Sequence, residues 1–145
     1  MSYFIGVIGN IQSNLSDEEI HKKLKFLIKE AITKKSKYED MDFDDSIYIV
    51  TGLIYTGIPK IVFQIAKELH YKIVGIDSQL AIPFYTNTED TFKPNYIKFV
   101  EGQYGSEDRF FLKNIDILIC LDGSERDRQK VNLAKMKNIP IIVCD

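Results

Sequence analysis

The sequence has no tryptophan, and only two histidines, two cysteines and four prolines among 145 residues. There is no Cys-x-x-Cys pair and no histidine cluster, so a structural zinc centre is not expected, nor any other metal. Cys120 and Cys144 sit in apolar runs and are expected as two small buried core residues. Neither sign of charge is in excess: 19 Lys plus Arg stand against 21 Asp plus Glu, a net charge of −2. That excludes a nucleic-acid polymer held by bulk positive charge, though not a local anion pocket. No apolar run approaches the roughly 18 residues of a membrane helix. The opening segment, Met1 to Gly9, has neither a basic start nor a cleavage site and does not read as a signal peptide. A cytoplasmic protein with no membrane partner is expected.

What is present is enough apolar material, 45% of residues, for one sizeable core, and a single domain over 1–145 is expected. Six short runs read as strands: residues 3–8, 46–51, 71–76, 95–100, 115–121 and 139–143. Most are continuously apolar, the pattern of strands covered on both faces. Between them lie helical patterns. Ile20, Leu24, Leu27, Ile28, Ala31 and Ile32 form one stripe, opened by the capping pair Ser16 and Glu19. A second stripe holds Ile61, Val62, Ile65, Ala66 and Leu69, with Pro59 in the first turn. A short helix is expected over 107–114 and a more charged one over 124–137. Two long connections remain, the polar stretch 34–45 and the aromatic-bearing stretch 81–94. The alternation implies an α/β, Rossmann-like fold: a mostly parallel sheet of about six strands with helices on both faces.

In such sheets ligands bind beyond the carboxyl ends of the strands. The turns there carry the candidate ligand-binding residues. Gly9 and Asn10 end the first strand. After the second come Thr51, Gly52, Tyr55, Thr56, Gly57, Ile58 and Lys60. Glycines allow close backbone approach, and N–H groups opening a helix attract an anion. Gly57→Val is therefore expected to block a ligand and leave the fold intact. Asp77, 25 positions after Gly52, stands where an acid reads a ribose hydroxyl in dinucleotide folds. The spacing is neither Gly-x-Gly-x-x-Gly nor a Walker loop. Asp122, Gly123 and Ser124 follow the fifth strand, and Arg109 is the candidate phosphate contact. Glu101, Asp122, Glu125 and Asp127 are acids near strand ends, of which Asp122 and Glu125 are the catalytic candidates. Acids opening a helix also simply complement its dipole. Tyr55, Phe84, Tyr85 and Tyr104 are placed to stack on a base or to pack a loop.

Thr51-Gly52, then Tyr55-Thr56-Gly57-Ile58-Pro59-Lys60, an apolar helix and Val74-Gly75-Ile76 resemble the glycine loop of the SLOG superfamily. The likeness is to the branch found at the amino end of TRPM channels and in prokaryotic relatives, the LSDAT group. The first strand and Asn114–Ile119 are similar to the superfamily layout. The resemblance implies a Rossmann-like domain that binds nucleotides or nucleotide-derived ligands such as ADP-ribose and that pairs into a homodimer or higher homo-oligomer; no cofactor is expected. Related Lonely Guy proteins cleave the base from a nucleoside monophosphate, using a Pro-Gly-Gly-x-Gly-Thr-x-x-Glu loop. Here that place reads Leu121-Asp122-Gly123-Ser124-Glu125-Arg126-Asp127, and Leu53 replaces a glycine of the second loop. These departures favour binding without turnover, as a sensor or a sequestering protein. With no output module in the sequence, a phage-type sponge directed against nucleotide-signalling defence is one form of that expectation. The alternative is an N-glycosidase, or a nucleoside deoxyribosyltransferase-like enzyme. The latter is similar in Leu121-Asp122-Gly123, Asp127, Ala134 and Asn138-Ile139-Pro140, but its small-residue turn and following Glu are absent.

Overall fold

A run such as Ile117–Leu121, apolar at every position, has no wet face and needs cover on both sides. In the computed structural model, which describes residues 2–38, 46–86 and 93–145, it has that cover. Six strands, β1 (Ser2–Gly9), β2 (Ser46–Thr51), β3 (Lys72–Ser78), β4 (Tyr96–Val100), β5 (Ile117–Leu121) and β6 (Ile141–Cys144), form one sheet in the order β4-β3-β2-β1-β5-β6. Every pairing is parallel, as in Ile5 opposite both Ile49 and Ile117. The helices are α1 (Asp17–Tyr38), α2 (Gly57–Glu68), α3 (Ile82–Thr86), α4 (Asp108–Lys113) and α5 (Glu125–Met136). This is the expected α/β, Rossmann-like arrangement.

The chain steps from β1 to β4 in one direction, then returns to β5 and moves the other way to β6. Crossovers of one hand then place the helices on opposite faces. The two cores show this. Tyr3, Ile5 and Val7 of β1 pack with Ile20, Leu24, Ile28 and Ala31 of α1 and with Ile61, Val62, Ile65 and Ala66 of α2. Ile8, Leu118 and Cys120 face the other way, onto Phe111 and Leu112 of α4 and Val131 and Ala134 of α5. The stripe of α1 thus lands on the sheet, and truncating a member such as Leu24 to Ala would cost about 2–5 kcal/mol. The Ser16 hydroxyl caps α1, accepting from the Glu19 N–H at 3.2 Å.

Three expectations change. The stretch after Lys34 continues α1 as far as Tyr38, and a 3-10 turn (Gln79–Ala81) runs into α3 where a loop over 81–94 was expected. The Ser78 hydroxyl starts that turn by accepting from the Leu80 N–H at 3.2 Å. Residues 39–45 and 87–92, with Asn87 and Thr88, lie outside the described residues. Cys120 is buried as expected, but Cys144 is only half-buried, because β6 is an edge strand with no outer neighbour among the described residues. Among the described residues no helix is long and apolar enough to cross a membrane.

Candidate functional site

β1 and β5 are hydrogen-bonded neighbours whose following connections run in opposite directions, and a crevice opens there at their carboxyl ends. It holds a cleft of about 560 Å³, within the range of small-molecule sites. Gly9 ends β1 at its floor, Thr51 and Gly52 come from the end of β2, and Asp77 from the end of β3. Thr56 and Ser124 stand at the mouths of α2 and α5. Ile8, Ile11, Ile54 and Ile76 supply apolar wall, and Phe84 and Tyr104 stand at its edge.

Two buried polar groups in this wall lack what burial usually requires. The Thr51 hydroxyl, on a residue with no exposed surface, has no hydrogen-bond partner among the described residues. Such a group costs about 1–3 kcal/mol while it is unsatisfied. Asp77 is 8% exposed and accepts the Leu53 N–H at 3.0 Å and the Ser78 N–H at 2.8 Å. Among the described residues it has no lysine or arginine in an ion pair. Burial raises its pKa above the ordinary carboxylate value, the two N–H bonds lower it, the nearby charge of Glu107 raises it again and that of Lys130 lowers it.

The cations of the cleft are already engaged. Arg126 pairs with the buried carboxylate of Glu107, whose other oxygen accepts the Gly105 N–H at 2.9 Å. The same guanidinium lies 5.2 Å from the centre of the Tyr104 ring, a cation–π arrangement. Lys130 lies 3.4 Å from Asp108 and 4.4 Å from the centre of the Phe111 ring. Asp127 closes the cap of α5: its carboxylate accepts from the Ser124 N–H and hydroxyl, both at 2.8 Å. The lining thus holds three carboxylates, Asp77, Glu107 and Asp127, against two cations that both have acidic partners.

The sequence-predicted residues divide accordingly. Gly9, Thr51, Gly52, Thr56, Asp77 and Ser124 line the cleft together. Asn10, Gly57, Ile58, Asp122 and Gly123 are outside the lining, in the segments that connect its walls. The Ile58 N–H donates to the Asn10 carbonyl and the Asn10 N–H to the Asp122 carbonyl, each at 3.2 Å, while the Ser13 hydroxyl donates to the Asp122 carboxylate at 2.5 Å. The mouth of α2 therefore has few N–H groups left for an anion. Thr56 donates to the Ile54 carbonyl, Ile58 is used, and Pro59 has no N–H. Gly57 serves the backbone itself: its φ is +57°, and a Cβ there would stand 2.5 Å from the Ile11 carbonyl oxygen. Gly57→Val would disturb the fold, contrary to the sequence-based expectation.

Lys60 reaches Asp17 at 3.4 Å, and Tyr55 packs edge-on against Phe63. Tyr85 packs against Phe99 rather than lining the cleft. Arg109, Glu101 and Glu125 are exposed and outside the lining; the other catalytic candidate, Asp122, is half-buried and also outside it. Sequence reasoning missed Arg126, Lys130 and Glu107. The first two had a readable signal: four apart on α5, they share one side of the helix beside the buried Val131 and Ala134. Glu107 had none, because its burial comes from the approach of α5 to the loop before α4.

The fold and cleft define a Rossmann-like α/β protein with its candidate site at the switch point of the sheet. No protein-family model matches the sequence, and no curated protein matches it. Solved structures do match. The molybdenum cofactor binding protein from the phototrophic bacterium Rippkaea orientalis superposes with a TM-score of 0.70 at 21% identity, over 100% of this chain and 78% of that one. The Moco carrier protein from Chlamydomonas reinhardtii gives 0.66 at 14% identity, over 99% and 76%. A second structure of the molybdenum cofactor carrier protein from that alga gives 0.63 at 14%, over 100% and 79%. At these identities the likeness establishes the Rossmann-like fold shared with those proteins.

Proposed function

We propose that this protein binds a nucleotide-derived or similarly sized heterocyclic small molecule in the switch-point cleft and holds it without turnover, as a carrier or sequestering protein. The observation that carries the reading is the buried, partnerless hydroxyl of Thr51 in the cleft wall, beside the buried carboxylate of Asp77, which is in no ion pair among the described residues. A ligand would satisfy both. Holding without turnover is supported by the commitments of the other acids: Glu107 is tied to Arg126, Asp127 caps α5, and Asp122 and Glu125 lie outside the lining. The structural neighbours, a carrier protein and a binding protein for the molybdenum cofactor, point the same way. They add a pterin, the organic part of the molybdenum cofactor, to the nucleotide-derived candidates such as ADP-ribose.

Native mass spectrometry of the purified protein is expected to show a co-purifying small molecule, or saturable binding to one member of a panel of ADP-ribose, nucleotides and molybdenum cofactor. The bound molecule should be recovered unchanged by chromatography after prolonged incubation. Release of a free base would replace this reading with the N-glycosidic enzyme. Failure of every member to bind would remove the ligand-binding role.

A further inference from the structure

The charge of the cleft is opposite to that of a phosphate cradle. Its carboxylates outnumber its cations, both cations have acidic partners, and the N–H groups at the mouth of α2 are largely spent. What the floor offers instead is acceptor capacity. Each oxygen of Asp77 receives one backbone N–H and keeps a second lone pair. Thr51 stands on the same face of the sheet: it is paired with Gly75, two residues before Asp77, and successive residues of a strand alternate in face. Its unpartnered hydroxyl can donate or accept. The cleft wall beside these two groups is apolar, with Ile54 from the connection after β2 and Ile76 from the other face of β3, and Phe84 stands near the mouth. Such a surface suits the faces of a flat ring whose edge carries adjacent N–H donors.

Resting on the reading of this cleft as a ligand site, we propose that it selects ligands by an amino–oxo pyrimidine edge, the ring N–H and neighbouring amino group shared by guanine and pterin, which donate as a pair to the carboxylate of Asp77. Thr51 supplies a further hydrogen bond beside that edge. Any phosphate of the ligand then lies toward the mouth, away from the acids. Adenine offers no such pair: its ring nitrogen at the corresponding place is an acceptor, and it would face the carboxylate with repulsion. A paired contact of this kind discriminates strongly between bases.

The test uses three nucleosides with the same ribose. Guanosine has both donors, inosine keeps only the ring N–H, and adenosine lacks that N–H. Calorimetric titration of the unmodified protein is expected to rank guanosine above inosine above adenosine, with at least a tenfold gap between first and last. Asp77→Asn, checked for folding by circular dichroism, should collapse that gap to within a few-fold. If this variant does not fold, the ranking on the unmodified protein decides alone. Pterin should compete with guanosine for the same site, and the tighter of the two identifies the source of the edge. Equal affinity for all three nucleosides overturns the proposal and leaves a ribose-reading ligand site standing. A preference for adenosine overturns it too. Binding of none of the nucleosides and no pterin overturns it; if ADP-ribose still binds, the broader reading survives.

Discussion

A threonine hydroxyl with no partner in a fully buried setting is poor design for stability alone, and Thr51 is such a case. Valine has nearly the same shape and no polar group to satisfy. Thr51→Val should therefore leave the melting temperature of the empty protein unchanged or raised, recovering part of the roughly 1–3 kcal/mol that an unsatisfied hydroxyl costs. It should also weaken ligand binding. Scanning calorimetry with and without ligand reads both effects, and a lower melting temperature with unchanged affinity would assign the hydroxyl to structure. Asp77 gives a prediction in pH. Its folded pKa is raised, chiefly by burial, so between its unfolded and folded pKa values the native state holds more protons than the unfolded chain. Its favourable contribution is fully present below the unfolded value and is lost as pH rises through the folded one. The stability of the wild type relative to Asp77→Asn should accordingly increase as pH is lowered from neutral toward the ordinary carboxylate range. Urea denaturation at a series of pH values checks the sign, and a flat difference would show that the group does not titrate differently on folding.

Elements were legible where one stripe or one apolar run decided them. The stripe of α1 and the run of β5 are found where spacing placed them, within about two residues at their starts, since both patterns encode burial on the sheet directly. The turn at Gln79–Ala81 and the five-residue α3 were not legible, because local propensity there is weak and Pro83 reads equally well as a loop. Loop mouths were legible in place and less so in purpose. Gly57 marked the start of α2, yet its need is a left-handed φ and a contact with the β1 loop rather than space for a ligand. Gly57→Ala should cost more than about 2 kcal/mol in urea denaturation. The left-handed conformation alone costs an L-residue about 1–2 kcal/mol, and the added Cβ would meet the Ile11 and Asn10 carbonyl oxygens at 2.5 and 2.6 Å. A fully stable Gly57→Ala would mean that the two loops part without cost. The capping box of α5 gives the smaller counterpart: Ser124→Ala, which removes a side chain bonded to Asp127, should cost about 1 kcal/mol in the same assay.

At the scale of the whole molecule, the sheet order brings β1, β2, β3 and β5 to one crevice, and that is why Gly9, Thr51, Gly52, Asp77 and Ser124 were readable as a group. The partners of Arg126 were not readable, because Glu107 and Tyr104 reach it across the sheet from a loop nineteen or more positions away. The rim of the cleft has a further property that only the assembled fold shows. Ile11, Phe84 and Tyr104 all line the cleft, and each exposes 40% or more of its surface. Apolar groups gathered at a mouth are covered either by a second copy of the chain or by closure over the ligand within one chain. The pairing implied by the sequence resemblance favours the first, with the pocket near the subunit boundary and Phe84 as part of the cover. Multi-angle light scattering is expected to give twice the 16.8 kDa of one chain. Phe84→Ser should shift that mass toward the monomer and weaken ligand binding together, because the same side chain serves the contact and the seal. A monomeric mass for the unmodified protein at high concentration, with ligand affinity lost only in Phe84→Ser, would instead assign the rim to closure within a single chain.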